Sequence, residues 1–384
     1  MAARIAFYAP LKPPDDPTPS GDREIARLMM AALAAAGYDV ELASRFISYQ
    51  KRPGADIFRA HQEAGRREAA RLIELWRESD RRPQLWFTYH PYCKAPDWLG
   101  PAVATALSIP CASAEACRTH QGRDADWLKG RAAVQAAIRL TAVNFCLKPS
   151  DESYLRSFLP DMRSVVPLRP FIDPDGWAVE RPATGPAALF THAGPIIIAV
   201  GMMRPGVKTA SYRLLAESLS GLESQSWNLV IIGDGPERKV VEAMFAFAGD
   251  RVHFTGALPR SQVLGWMQVG DLLAWPGIGE AIGMVYLEAQ ALGLPIAACD
   301  TAGVSNVVAN GVTGLLAPEA EAAAFRDTLS VLLASEDKRR RLSAAGPGAI
   351  AAGHDIASAA ATLKRAIDPL LRKGINPDGE AVPS

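Results

Sequence analysis

Residues 279–295 read GEAIGMVYLEAQALGLP, and the reading of this run decides how the chain folds. DLLAWPG (271–277) just before it is a short apolar run ending in turn residues, as a buried strand would be. GMVYLEAQALG then predicts a helix that begins near Gly283 and stops at Gly293. Glu280 falls in the loop before that helix, and Glu288 about one turn inside it. The first N–H groups of a helix lack intrahelical partners and carry the positive end of its dipole. A phosphate can sit there, and glycine lets it approach closely. Glu288 would then lie along the helix surface beside the phosphate, where a carboxylate can accept two hydrogen bonds from a ribose diol. Taken alone, the pattern fits equally well a solvated Glu288 and a Glu280 that merely favours the dipole.

The same strand-then-helix grammar extends outward in both directions. IIIAVG (196–201), NLVIIGDG (228–235), RVHFTG (251–256) and LPIAACD (294–300) read as further strands separated by helix-length segments. The near-continuous apolar run of IIIAVG is that of a parallel strand buried on both faces. The first half repeats the scheme with RIAFYAP (4–10), YDVELAS (38–44), QLWFTYH (84–90), IPCASA (109–114) and AVNFCLK (142–148). REIARLMMAALAAAG (23–37) places Ile25, Leu28, Met29 and Leu33 on one helical stripe and stops at Gly37. Strands alternating with helices predict two doubly wound α/β domains facing each other across a cleft. The boundary is expected near Pro170 to Pro195, where PATGPAALFTHAGP is rich in Pro, Ala and Gly. The domains are thus read as 1–175 and 190–350, with a tail after Asn376 that looks disordered. Ligands of such sheets bind beyond the carboxyl ends of the strands, so the loops there should carry the chemistry.

Composition narrows the function classes. The 384 residues suit about two domains, and 49% are apolar, enough for sizeable cores. A net charge of zero argues against a nucleic-acid binder. The five cysteines are odd in number and none forms a C-x-x-C pair, which fits small buried hydrophobes in a reducing cytoplasm. The first apolar run, Ile5 to Leu11, is too short for a signal peptide, and no stretch is long enough to span a bilayer.

The run from Glu280 through Gly283, Glu288 and Ala289 to Gly293 and Pro295 resembles the Glu-x7-Glu signature of the retaining glycosyltransferases of family 4, which have the GT-B fold. The resemblance is strongest from Ile196 to Pro318. It implies that Glu288 binds the donor ribose, that Glu280 lies near the donor sugar, and that the backbone of Gly283 and Met284 contacts the diphosphate. IIIAVGMMRPGVKTASY (196–212) resembles the segment that supplies an arginine and a lysine to the diphosphate, here Arg204 and Lys208. Cations there stabilise the charge that a departing nucleoside diphosphate gains. This loop departs from the family pattern, because Met202 and Met203 stand between Gly201 and Arg204. FTGALPR (254–260) resembles the segment whose backbone around Leu258 flanks the nucleotide base. A nicotinamide site at Gly233 and Gly235 is disfavoured, since Pro236 and Glu237 break the G-x-G-x-x-G pattern.

In the first half, PSGDREIARLMMAAL resembles the family's glycine-containing first loop and helix. Gly21 could approach a phosphate or sugar, although a plain helix start capped by Asp22 reads equally well. His90 lies just past a strand, at a loop where family members often carry a histidine near the donor sugar. Histidines more commonly serve as structural hydrogen-bonding groups, and Trp86, Tyr89, Tyr92 and Trp98 around it as core. DAD (124–126) resembles a metal-binding DxD, but it precedes a helical segment rather than ending an apolar strand, so no metal is expected. RREAARLIELWRESDRR (66–82) could lie on an anionic membrane face, yet Glu68, Glu74 and Glu78 offset its arginines, which favours a packed surface helix.

The resemblance thus implies a cytoplasmic, metal-independent hexosyltransferase without a cofactor. It would move a sugar from a nucleotide diphosphate sugar to a hydroxyl of a glycan, lipid or small molecule, with retention. The C-terminal domain would hold the donor and the N-terminal domain the acceptor, with peripheral contact to the inner membrane surface left open. A helix within 351–375 would cross back to the N-terminal domain. A nucleotide-sugar epimerase and a non-catalytic scaffold on the same fold stay as alternatives.

Overall fold

The computed structural model describes residues 2–18, 20–117, 125–161 and 164–373. The chain divides into two units, Met1–Arg169 with Ile356–Ser384, and Pro170–Asp355. The first unit holds β1 (Arg4–Tyr8), β2 (Asp39–Ser44), β3 (Leu85–Tyr89), β4 (Cys111–Ala114), β5 (Thr141–Cys146) and β6 (Val165–Pro167). They form one parallel sheet in the order β2-β1-β3-β4-β5-β6. The second unit holds β7 (Ile196–Val200), β8 (Asn228–Ile232), β9 (Val252–Gly256), β10 (Leu272–Ala274), β11 (Ile296–Asp300) and β12 (Gly314–Pro318). Its sheet is also parallel, in the order β12-β11-β10-β7-β8-β9.

This is the doubly wound α/β architecture that the alternating pattern predicts. β8 is buried at all five positions, because helices cover both faces of the sheet. β6 and β12 are absent from the sequence reading. Both end in proline and β12 starts with glycine, residues that weaken a strand signal. Each sheet has a place where the winding reverses: between β1 and β3 in the first, and between β7 and β10 in the second. At such a point the flanking loops splay apart and leave room for a ligand.

The helix Gly21–Ala35 buries Ile25, Leu28, Met29 and Leu33 as its stripe requires. Its cap differs from the expectation. Ser20, not Asp22, accepts the hydrogen bond from the Arg23 N–H (3.2 Å), which leaves the Asp22 carboxylate available elsewhere. The helix Ala55–Arg77 buries Ala69, Leu72 and Trp76 against Trp86, Leu99 and Val103, so its apolar face is packed. Trp86, Tyr89 and Tyr92 are core residues as well.

The helix Ile356–Lys373 belongs to the first unit, as the crossing-back reading requires, and packs on Gly21–Ala35. Tyr38 Oη donates to Asp368 Oδ1 (2.7 Å), and Lys364 Nζ donates to the Ala36 carbonyl (3.1 Å). Where the chain leaves and re-enters the second unit, Ile172 N donates to His354 O (2.9 Å). All five cysteines are free and buried. Among the described residues, no helix is long and apolar enough to cross a membrane. Of the DAD run, Asp124 lies outside the described residues, and the helix Ala125–Arg139 starts immediately after it. The tail after Asn376 also lies outside them.

Candidate functional site

At the reversal point of the second sheet, the loop and helix after β7 meet the loop after β10. Lys208, on the first turn of the helix Val207–Ser220, places Nζ 2.7 Å from Glu280 Oε2. The ammonium also lies 5.4 Å from the centre of the Trp275 ring, which is fully buried. The lysine is thereby held by a carboxylate and an aromatic face, with both charged side chains still about a quarter exposed (30% and 21%). Glu280 is fixed by its backbone: its N–H donates to Gly277 O (2.9 Å), and its carbonyl accepts from Gly303 N (3.0 Å).

Gly283 caps the helix Met284–Ala291 in the left-handed region, at φ 76°. A side chain there would be strained, and its Cβ would lie 2.7 Å from the Tyr286 ring. The Tyr286 hydroxyl in turn donates to the Trp275 carbonyl (2.9 Å) and locks the loop against β10. The N-terminus of this helix therefore opens beside the Lys208–Glu280 pair, with Met284 as its first residue.

Glu288 lies one turn along. Its Oε1 takes two contacts from one guanidinium, Arg260 Nε (3.1 Å) and Nη2 (3.0 Å). Arg260 follows the Leu258–Pro259 turn directly and stacks on Trp177, 4.8 Å from the ring centre. The segment around Leu258 and Glu288 are thus linked through Arg260, to which the sequence analysis assigns no role. Trp177 was not singled out either, because it lies in the linker, far from any motif.

Arg204 lies on the loop after β7. Met203 N donates to Asp234 O (2.9 Å), so the chain keeps pairing beyond the end of β7 and buries Met203. Arg204 then emerges exposed, and its guanidinium has no ion-pair partner among the described residues. Its carbonyl accepts from Thr209 N (3.2 Å) and Thr209 Oγ1 (2.7 Å).

In the first unit, the reversal point brings together Gly21, Asp22 and His90. His90 Nδ1 lies 3.3 Å from Asp22 Oδ1, and Nε2 lies 3.5 Å from Cys117 Sγ. Tyr92 stacks on the ring at 5.1 Å. Behind it, Glu115 takes the Tyr89 hydroxyl on Oε2 (2.9 Å) and the Lys148 ammonium on Oε1 (3.0 Å). Lys148 also faces Asp151 at 3.6 Å. Burial works against the charged form of His90, but Glu115, Asp22 and Cys117 together hold its pKa well above the ordinary imidazole value. Burial pushes the Asp151 carboxyl up to about 7, against the opposing pull of Lys148. Lys148 is itself held above the usual lysine value, because Glu115 and Asp151 outweigh its own desolvation. Glu115 directly follows a strand-like run in the sequence, and Lys148 ends another. Their position just past a strand end was the signal that could have found them.

Comparison with known proteins bears on both units. The chain superposes over 97% of its length on sucrose-phosphate synthase from Thermosynechococcus elongatus, which is covered entirely, with a TM-score of 0.71 at 18% identity. It superposes over 95% on Anabaena Alr3699/HepE in complex with UDP, again covering that chain entirely, with a TM-score of 0.69 at 14% identity. At these identities the likeness establishes the fold, which is GT-B. Residues 194–335 match the family described as glycosyl transferases group 1. That matched segment carries Arg204, Lys208, Leu258, Glu280, Gly283 and Glu288, in agreement with the Glu-x7-Glu resemblance. A D-inositol 3-phosphate glycosyltransferase from Nocardia farcinica is 32% identical over 156 residues, 38% of this chain. The match spans only about a third of that relative's own length (35%).

Proposed function

We propose that the chain is a retaining glycosyltransferase that moves a hexosyl unit from a nucleotide diphosphate sugar to a hydroxyl acceptor. The observation that carries this reading is the 2.7 Å Lys208–Glu280 pair at the β7/β10 reversal point, beside the helix start at Gly283. An ammonium and the positive end of a helix dipole stabilise a diphosphate as it gains charge. Glu288 then exchanges part of its contact with Arg260 for the ribose diol, and the turn at Leu258 flanks the base. Arg204, exposed on the loop after β7, is the second cation for the diphosphate. In the transfer, the bond from the anomeric carbon to the phosphate oxygen breaks. The acceptor oxygen bonds to the same face, and its proton passes to the departing phosphate. Glu280 lies against Lys208 and orients it, while Gly21 and His90 serve from the first unit. The acceptor belongs to that unit too, and contact with a membrane surface is left to its chemistry.

UDP is the first nucleotide to test, since the Anabaena HepE structures contain UDP and UDP-glucose. The experiment is a thermal-shift panel of UDP, GDP and ADP with UDP-glucose, GDP-mannose and ADP-glucose, followed by calorimetry. A binder of the native state must raise the melting temperature, by an amount set by concentration over Kd. At least one nucleotide is expected to shift it. No shift across the panel would sink the proposal.

A further inference from the structure

The loop that carries Glu280 is held from outside by side chains of three other segments. It turns through two left-handed glycines, Gly277 (φ 64°) and Gly279 (φ 64°). Ile278 N donates to Ser211 Oγ (3.0 Å), on the same helix that carries Lys208. Gly279 N, one residue before Glu280, donates to Thr301 Oγ1 (3.1 Å) and to Glu319 Oε1 (3.2 Å). The Thr301 hydroxyl itself donates to Glu319 Oε1, which turns its oxygen lone pairs toward Gly279. Thr301 is buried and Glu319 is exposed. Both lie outside the runs 196–212 and 279–295 that carry Lys208, Glu280 and Glu288.

Thr301 and Glu319 are neighbours because two strands run in register. Asp300 ends β11 opposite Pro318, the end of β12, so each residue stands one step past its strand. The backbone then turns at the next residue. Ala302 (φ 41°) and Ala320 (φ 61°) both adopt left-handed backbone without being glycine. Such conformations persist only where the surroundings over-determine them, and they gather at functional sites. Gly303 N, just after the first turn, donates to the Glu280 carbonyl (3.0 Å), and the Ala320 N–H holds the second turn on the Cys299 sulfur. Packing alone does not seat the loop. Ile278 and Ala320 line a surface cavity of about 350 Å³, and Pro318 and Glu319 line another of about 530 Å³. Hydrogen bonds therefore decide where Gly279 lies, and Glu280 follows it in the chain.

We propose that Glu319 and Thr301 are positioning residues of the donor site. Together they hold the Gly279 N–H, and so keep the Glu280 carboxylate on Lys208 with the ammonium aimed at the diphosphate. Glu319 acts here as a hydrogen-bond acceptor rather than through its charge. Ser211 ties the same loop to the helix of Lys208, so both members of the Lys208–Glu280 pair share one frame.

This inference rests on the glycosyltransferase reading, and the test separates the two. Calorimetry on the full chain compares UDP with UMP, or the matching pair for whichever panel nucleotide binds. Base and ribose are common to both, so the ratio of affinities reports the grip on the outer phosphate. The wild-type chain is expected to favour the diphosphate. Glu319→Ala and Thr301→Val should each cut that preference about threefold or more, part of the roughly tenfold scale of one hydrogen bond to a charged group. The double variant should lose no more than the larger single loss, because the two residues act as one unit. Glu319→Gln keeps a carbonyl oxygen that accepts, and it should retain most of the preference. A merely structural role would instead lower the melting temperature and weaken both nucleotides alike. Thr301→Val carries the comparison if Glu319→Ala does not fold. An unchanged ratio in both single variants, or a Gln variant as impaired as the Ala variant, overturns the inference and leaves the donor reading intact. A wild-type chain that binds UMP as tightly as UDP overturns the phosphate clamp and this inference with it. Failure to bind any nucleotide overturns the glycosyltransferase reading instead.

Discussion

Lys208 and Glu288 play different parts, and their substitutions should separate. In the proposed transfer, Lys208 stabilises charge that develops only as the diphosphate departs, so Lys208→Ala should lower kcat about 100-fold. Its ion pair with Glu280 is partly exposed, so stability should change by no more than ~1 kcal/mol. Single-turnover kinetics alongside urea unfolding checks both. Unchanged turnover would remove the phosphate-clamp assignment. In the same proposal Glu288 instead contacts the ribose already in the ground state. Glu288→Gln should raise the nucleotide Kd about tenfold with a smaller effect on kcat, because one charge-assisted contact to the ribose is weakened. It also takes the charged partner from Arg260, whose stacking on Trp177 then becomes its main anchor. Calorimetric affinity equal to wild type would refute the ribose assignment. Lys208 was picked out from the run 196–212, and Glu280 and Glu288 from the run 279–295, because each run is local. Arg260 and Trp177 were not, because 83 residues separate them and only folding stacks one on the other.

The decisive element is the helix Met284–Ala291 with its left-handed glycine. Gly283→Ala would force a side chain into φ 76° and place a Cβ against the Tyr286 ring. The expected cost is about 1–3 kcal/mol of stability, the usual range for such a strained residue. Nucleotide affinity should fall as well, because the helix start shifts away from Lys208. A melting temperature and Kd both equal to wild type would show that the glycine is dispensable. The start and stop of this helix could be read from Gly283 and Gly293, since glycine marks both. The first helix was less legible. Ser20 and Asp22 are both good cap residues two positions apart, and only the orientation of the Arg23 N–H decides between them. That choice matters, since it releases Asp22 to meet His90 from the other side of the reversal point.

Over the whole chain, the first unit is completed from the far end of the sequence. The helix Ile356–Lys373 buries Ala359, Ala360, Leu363 and Ile367, spaced to make one stripe. Burying Leu363 and Ile367 stabilises by ~1.5–3 kcal/mol each. Ending the chain after Asp355 should therefore lower the melting temperature of the first unit by many degrees and leave the unfolding of the second unit near its original temperature. Differential scanning calorimetry distinguishes this from a thermogram that does not move, which would mean the helix adds nothing. What the sequence alone determined is the periodicity: alternating strands and helices, two doubly wound halves, and the local run that marks the second unit's family. Periodicity, capping and glycine placement act over a few residues, so they survive in a one-dimensional reading. What only the tertiary structure decided is which distant groups share a site: Lys208 with Glu280, Arg260 with Glu288 and Trp177, and Asp22 with His90 in front of Glu115 and Lys148. Those pairings follow from strand order and from backbone turning just past each strand end, and the energy that fixes them comes from contacts the chain makes only once the sheets have formed.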